Sequence, residues 1–144
     1  MNNLKIRRVN NENDLEKTIE IRKNVFINEQ NVPIDIEIDG LDPESKHFIV
    51  YLNDEPIGCA RIRTNKTSAK LERIAIKKKY RSKGFGTKLT KFLIDYCKKE
   101  GFDEITLHSQ TYIADFYKSL GFKTRGKPFF EADIEHIEMY LDVS

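Results

Sequence analysis

The chain opens on an alternation of apolar and charged side chains, Leu4-Lys5-Ile6-Arg7-Arg8-Val9, which predicts a first strand. Asn13 followed by Asp14-Leu15-Glu16 sets an acid three residues beyond a capping side chain, the capping-box signature of a helix start. Leu15, Ile19, Arg22 and Phe26 recur at helical spacing, with Val25 beside Phe26, so the helix should run to about Asn28. Glu29-Gln30-Asn31-Val32-Pro33 breaks it, and an irregular acidic stretch continues to Asp42-Pro43. About twenty irregular residues in so short a chain are more often functional than idle.

Three apolar runs follow, His47–Leu52, Ile57–Arg63 and Leu71–Ile76, joined by short polar turns at Asn53–Pro56 and Thr64–Ser68. Short connections of this kind predict an antiparallel meander. Gly84 to Lys99 reads as a helix with Phe85, Leu89, Phe92, Leu93 and Tyr96 on one face, closed by Gly101. Glu104–His108 is a further strand and Thr111–Leu120 a third helix closed by Gly121. Phe122–Val143 reads as two strands around a turn near Gly126-Lys127-Pro128. The order predicts an α+β fold: a mixed, mostly antiparallel central sheet with helices on both faces, in a single domain over residues 1–144.

Composition narrows the class. With 39% hydrophobic and 33% charged residues and a mean hydropathy of −0.58, the 144-residue chain reads as globular. No apolar run approaches the ~20 residues that span a bilayer. Met1 to Arg8 lacks the apolar stretch of a signal peptide, so the expected location is cytoplasmic, with no membrane partner. Cys59 and Cys97 stand apart without CxxC spacing beside only three histidines, which argues against a metal and for two buried thiols. Charge is distributed unevenly. Asn28 to Glu55 holds eight acids against one base, and Lys77 to Glu100 nine bases against two acids. This separation suggests one cationic and one anionic partner.

The most specific segment is Arg81-Ser82-Lys83-Gly84-Phe85-Gly86, between an apolar strand and an amphipathic helix. Glycines admit a close ligand, and helix-start amides bind anions. Three phosphate loops fail to match. A Walker loop needs Lys directly after its last glycine, the dinucleotide fingerprint needs glycine at Leu89, and a kinase loop is followed by a strand. The pattern R/Q-x-x-G-x-G/A does match at Arg81–Gly86, and Ala114-Asp115-Phe116-Tyr117-Lys118-Ser119-Leu120-Gly121-Phe122 supplies a second element.

On these two motifs, and on the order of elements over nearly the whole chain, the sequence resembles the GNAT superfamily of acyl-CoA-dependent N-acetyltransferases. Glu29–Pro33 and Phe130–His136 further resemble a small bacterial subgroup, YjcF- or ElaA-like. The resemblance implies acetyl-CoA as co-substrate, with amides from Ser82 to Thr87 around its pyrophosphate and the backbone of Ile74, Ala75 and Ile76 beside its pantetheine arm. The candidate cofactor set is therefore Ile74, Ala75, Ile76, Arg81, Ser82, Lys83, Gly84, Phe85, Gly86, Thr87 and Gln110. Gln110 stands seven residues before Tyr117, where many members have Asn, a departure that leaves its role open.

Acetyl transfer to an amine needs a base for the amine and a proton donor for the departing thiolate. The resemblance places Tyr117 as donor; a half-buried core tyrosine is the plainer alternative. Strict alternation would put Glu72 on the strand face of Ile74 and Ile76, making it a candidate base or a solvent-facing carboxylate. His108 and His136 are alternatives, and Glu29 and Glu37 lie where an acceptor pocket is expected. The expected partner is a small-molecule or peptide amine acceptor, with the chain a monomer or homodimer. Two other classes stay open: an acyl-CoA sensor without catalysis, and a nucleic-acid module using Lys77-Lys78-Lys79-Tyr80-Arg81. Near-neutral net charge disfavours the latter, so no nucleic acid is expected.

Overall fold

The computed structural model describes residues 3–144; the N-terminal reading partly concerns Met1 and Asn2, which lie outside them. Seven strands, β1 (Leu4–Arg8), β2 (Lys46–Leu52), β3 (Glu55–Thr64), β4 (Ser68–Ile76), β5 (Glu104–Gln110), β6 (Lys123–Glu131) and β7 (Ile134–Asp142), form one sheet in the order β1-β2-β3-β4-β5-β7-β6. Every pairing is antiparallel except β4 with β5. The predicted α+β class and the meander are both present.

Helices cover both faces. The amphipathic α3 (Phe85–Lys99) and the short α4 (Ala114–Ser119) lie over the larger core, where Phe48, Ile62, Leu71, Leu89, Leu93, Ile105 and Met139 are buried. On the other face α1 (Glu12–Arg22) continues as a π-helical segment, Lys23–Glu29, then a single turn, α2 (Ile34–Glu37). Its apolar core is small: Ile21, Val25, Cys59 and Ala75. The expected cap is off by two residues, since Asn11 is the N-cap, its side chain accepting from the Asp14 amide. Asp14, Thr18, Ile21 and Arg22 are the buried helix positions, because this face of the sheet carries charge as well as apolar groups.

Two further expectations are corrected. Gly126-Lys127-Pro128 lies inside β6 as a register irregularity; the reversal is at Ala132-Asp133, both at positive φ as a tight hairpin turn requires. Neither residue is a turn-forming glycine or asparagine, so the turn left no signature. The alternation of β4 also breaks. Arg73 adopts φ 54, and the β3–β4 register shifts so that Arg61 opposes Glu72 while Cys59 opposes Ala75. This bulge puts Glu72 and Ala75 on the α1 face, with Ile74 and Ile76 on the core of the opposite face.

Candidate active site

The parallel pairing of β4 and β5 covers only Ser68–Leu71 with Glu104–Leu107. Beyond Leu71 and Leu107 the two strands part, leaving facing edges without a ladder partner, and a cavity of about 840 Å³ occupies the gap. Ile74, Ala75 and Ile76 line it from β4, and His108 and Gln110 from β5. Tyr117 and Phe116 line it from α4, and His136 from β7. An unpaired strand edge offers backbone donors and acceptors to an extended ligand.

At one end stands the glycine loop. Ser82 (φ 63) and Gly84 (φ 85) both adopt left-handed backbone angles, and Gly84 is the N-cap of α3 without a side-chain cap. Across Ser82 to Thr87 the backbone amides donate to no protein acceptor among the described residues; the first intrahelical bond is Lys88 N–H to Gly84 O at 3.1 Å. Nothing lies within 4 Å of a side-chain position at Gly84, and at Gly86 only Phe116 Cζ, at 3.8 Å. The loop is therefore an open cradle of unsatisfied N–H groups at a helix start, suited to an anion such as a pyrophosphate. Arg81 and Ser82 line the cavity; Lys83, Gly84, Phe85, Gly86 and Thr87 sit beyond it, with the Phe85 ring buried in the core. Arg81 is committed to the protein: Nε donates to Ile76 O at 2.8 Å, and its guanidinium pairs with both oxygens of Glu29.

Tyr117 is buried among Phe116 and Phe122, edge-on at 5.0 and 5.8 Å. Burial alone pushes its hydroxyl pKa up to about 12, so the group stays protonated at neutral pH. Gln110 Nε2 donates to Gln30 Oε1 at 3.0 Å, tying β5 to the end of the π-helical segment.

The carboxylates expected to meet a substrate are otherwise occupied. Glu72 accepts from Arg63 Nε at 2.6 Å and Arg61 Nη2 at 2.9 Å, with Lys70 at 3.4 Å. Despite partial burial these cations lower its pKa to about 2, which makes it a weak proton acceptor. Glu37 is fully buried between Arg22 and Arg73, both at 2.5 Å, so it forms the anchor of α2 and is not open to an acceptor. Asp39 and Asp42 bind Arg61 at 2.8 and 2.9 Å, and Asp42 also binds Arg22 at 2.8 Å. Much of the acidic segment thus finds its cations in the same chain, which removes that segment's argument for a cationic partner.

The two histidines do face the cavity. His108 Nδ1 lies 2.7 Å from Glu131 Oε1, and His136 Nδ1 donates to Ile134 O at 2.7 Å. Glu131 and Phe129, which packs edge-on to His108 at 4.9 Å, escaped the sequence reading. The available signals were that both fall on one alternating face of β6 and that Glu131 lies in the Phe130–His136 segment that carries the subgroup resemblance. Both cysteines are buried and free, and burial raises Cys59 to about 12 and Cys97 to about 11, as inert thiols require. Among the described residues no cluster could hold a metal ion, and no helix is long and apolar enough to cross a membrane.

A parallel-strand splay thus carries an amide cradle at its mouth. The model of the acetyltransferase (GNAT) domain matches residues 14–143; the chain belongs to this family. It is 38% identical over 133 residues to the uncharacterized N-acetyltransferase YjcF of Bacillus subtilis, covering 92% of this chain and 95% of that one. A solved structure from Lactobacillus plantarum superposes with a TM-score of 0.92 at 22% identity, covering 98% and 99% of the two chains. Escherichia coli ElaA gives 0.86 at 24%, covering 96% and 99%. A GNAT family acetyltransferase from Elizabethkingia anophelis, solved with acetyl-CoA bound, gives 0.77 at 16%, covering 97% and 98%. At these identities the structures speak to the fold alone.

Proposed function

We propose that the protein transfers an acetyl group from acetyl-CoA to a primary amine by direct attack, both substrates being held at once. The observation that carries this reading is the run of unsatisfied amides, Ser82 to Thr87, at the mouth of a wedge that Tyr117 also lines. The amides hold the pyrophosphate, with Lys77, Lys78, Lys79 and Lys83 supplying nearby positive charge to the remaining phosphate. The edge of β4 at Ile74–Ile76 takes the pantetheine arm as an added strand, and Gln110 borders it from β5. Bound acetyl-CoA supplies an activated carbonyl and a thiol leaving group. Tyr117, held protonated by burial, donates to the sulfur as the carbon–sulfur bond breaks. Sequestering the reacting atoms between two strand edges excludes water that would hydrolyse the thioester. Thiol release from acetyl-CoA, measured over a panel of primary amines with product masses, tests the reading. Amine-dependent release with a mass gain of one acetyl group supports it, while tight acetyl-CoA binding with no release for any amine makes the protein a sensor.

A further inference from the structure

At neutral pH a primary amine arrives protonated, and with Glu72 tied to three cations the proton needs another acceptor. We propose that His108 is the general base for the acceptor amine and that Glu131 is the positioning residue that fixes its tautomer. This rests on the acyl-transfer reading above.

His108 directly follows Leu107, the last β5 residue paired with β4, so it stands at the apex of the splay. Leu107 and Met139 point into the core under α3, whereas His108 and its cross-strand neighbour Glu138 take the other face. Tyr117 belongs to the core side and His108 to the α1 side, yet both line the one cavity. An amine entering from the α1 side therefore meets His108 while the thiol leaves past Tyr117 on the other. Addition to the face of the planar carbonyl lets base and acid stand apart, each beside the atom it serves.

The ring is held for the task. Glu131, on the hairpin opposite, is kept below the usual carboxylate range, first by its hydrogen bond with His108. Being ionised, it accepts, so Nδ1 carries the proton and Nε2 keeps its lone pair. Phe129 packs edge-on to the imidazole at 4.9 Å and stacks on His136 at 6.2 Å. His108 is 28% exposed, enough for a substrate to reach it from the cavity. The charged groups around it are Glu131 from β6, His136 and Glu138 from β7, and Lys70 and Glu72 from β4. Glu138 is taken by Arg125 at 2.7 Å, and Lys70 and Glu72 are taken by each other and by the arginines. Glu131 is thus the carboxylate left to stabilise the imidazolium. His136 differs in that its Nδ1 donates to a backbone carbonyl, which offers a cation less support.

The balance closes without a further reagent. Nε2 takes a proton from the ammonium and passes it to solvent, and the neutral nitrogen bonds to the acetyl carbon. The nitrogen gives up its second proton, again to Nε2, as the carbon–sulfur bond breaks and Tyr117 gives its proton to sulfur. Solvent takes the proton from the imidazolium and returns one to the tyrosinate, so each turnover releases one proton.

The test measures thiol release by wild type, His108→Gln and Glu131→Gln across pH, with acetyl-CoA thermal shifts on each. For His108→Gln, kcat/KM near pH 7 should fall by about 10²–10⁴-fold, the size of a general-base contribution, with the thermal shift preserved. The acid limb of the wild-type profile should vanish, and the variant should recover towards wild type at high pH, where the amine is already neutral. Glu131→Gln should also slow the reaction, and the double variant should be no slower than His108→Gln, because one residue acts through the other. A His108→Gln rate within about three-fold of wild type, smaller than any general-base effect, overturns the proposal. So does retention of the acid limb, or a larger loss in His136→Gln. Wild type that releases no thiol with any amine overturns the acyl-transfer reading and the base assignment with it.

Discussion

Gly86→Ala separates the two things a glycine can do at a helix start. Gly86 is the second residue of α3 and has ordinary helical backbone angles, so a methyl group costs no strain. The added carbon would meet only Phe116 Cζ at 3.8 Å, an ordinary contact. On the fold alone the substitution should stabilise, since Gly→Ala at a compatible position gains about 0.4–1 kcal/mol by restricting the unfolded chain. For 144 residues at ~2.1 cal/mol/K each, the unfolding entropy is about 0.3 kcal/mol/K, so the melting temperature should rise by about 1–3 °C. Ligand binding should move the opposite way. A pyrophosphate seated on the amides needs oxygens about 2.9 Å from nitrogen, and the new methyl stands beside that path. Losing one charge-assisted hydrogen bond costs roughly 1.5–3 kcal/mol, or about 10–10² in Kd. Calorimetric titration with acetyl-CoA and a thermal melt read the two effects on one sample. Unchanged affinity in a variant that melts at or above wild type would refute the cradle and reduce the loop to a helix cap. Gly84→Ala is the contrast: at φ 85 it should lower the melting temperature, since an L-residue there costs about 1–2 kcal/mol.

Other outcomes follow from the same geometry. Tyr117→Phe should lower turnover by about 10²–10⁴-fold with acetyl-CoA affinity nearly unchanged, since the hydroxyl acts on a group that forms only as the bond breaks; a melting loss with normal turnover per folded molecule would make the tyrosine structural. Coenzyme A at 100 times its Kd should add about 2.7 kcal/mol of stability, and dephospho-CoA at equal concentration less, because the basic segment around the loop is assigned to the phosphates; equal melting shifts would remove that assignment. Glu72, ordinarily near 4.5 and held at about 2, stabilises the fold above its unfolded pKa and loses that contribution as pH falls from about 4.5 towards 2. Glu72→Gln should therefore flatten the acid limb of a stability–pH curve by up to about 3 kcal/mol shared with its arginines, and an unchanged slope would show the network to be idle.

Much of the fold was legible because its long elements carry clean periods. The α3 stripe of Phe85, Leu89 and Leu93 is buried as its spacing implies, and β2, β3 and β4 are buried runs separated by polar turns. That Gly84 opens α3 and that Tyr117 stands on the short helix before Gly121-Phe122 were legible because both are local patterns, while the roles proposed for them come from the family resemblance. What escaped the sequence depends on pairings far apart in the chain. That Glu37 is an anchor follows from Arg22, fifteen positions earlier, and from Arg73, thirty-six positions later. The irregular segment buries little of its apolar surface: Ile34, Ile36 and Ile38 are all exposed. Its acids therefore read as a solvated substrate pocket until their arginines are seen. The Ala132-Asp133 reversal was hidden because it has no glycine and puts an alanine at one left-handed position, while Gly126-Pro128 advertised a turn and made a bulge.

One backbone irregularity settles which groups are left to move protons. Were β4 regular, Glu72 would share a face with Ile74 and Ile76. The positive φ of Arg73 inserts one residue into the alternation. Glu72 is thereby turned to Arg61 and Arg63, and Arg73 reaches Glu37 and the α2 carbonyls. Buried ion pairs of this kind are a weak source of net stability but are costly to break singly, so they fix geometry more than they add to folding energy. Here they fasten a segment with few apolar anchors to the sheet, and in doing so they neutralise Glu37 and Glu72 along the wedge. Among the titratable groups along the wedge without a guanidinium partner are His108 with Glu131 and His136 on one face, and Tyr117 on the other. Arginines 61, 63 and 73 thus keep the wedge from holding a strongly basic carboxylate, and in the proposed mechanism proton transfer falls to an imidazole and a phenol on opposite sides of the sheet.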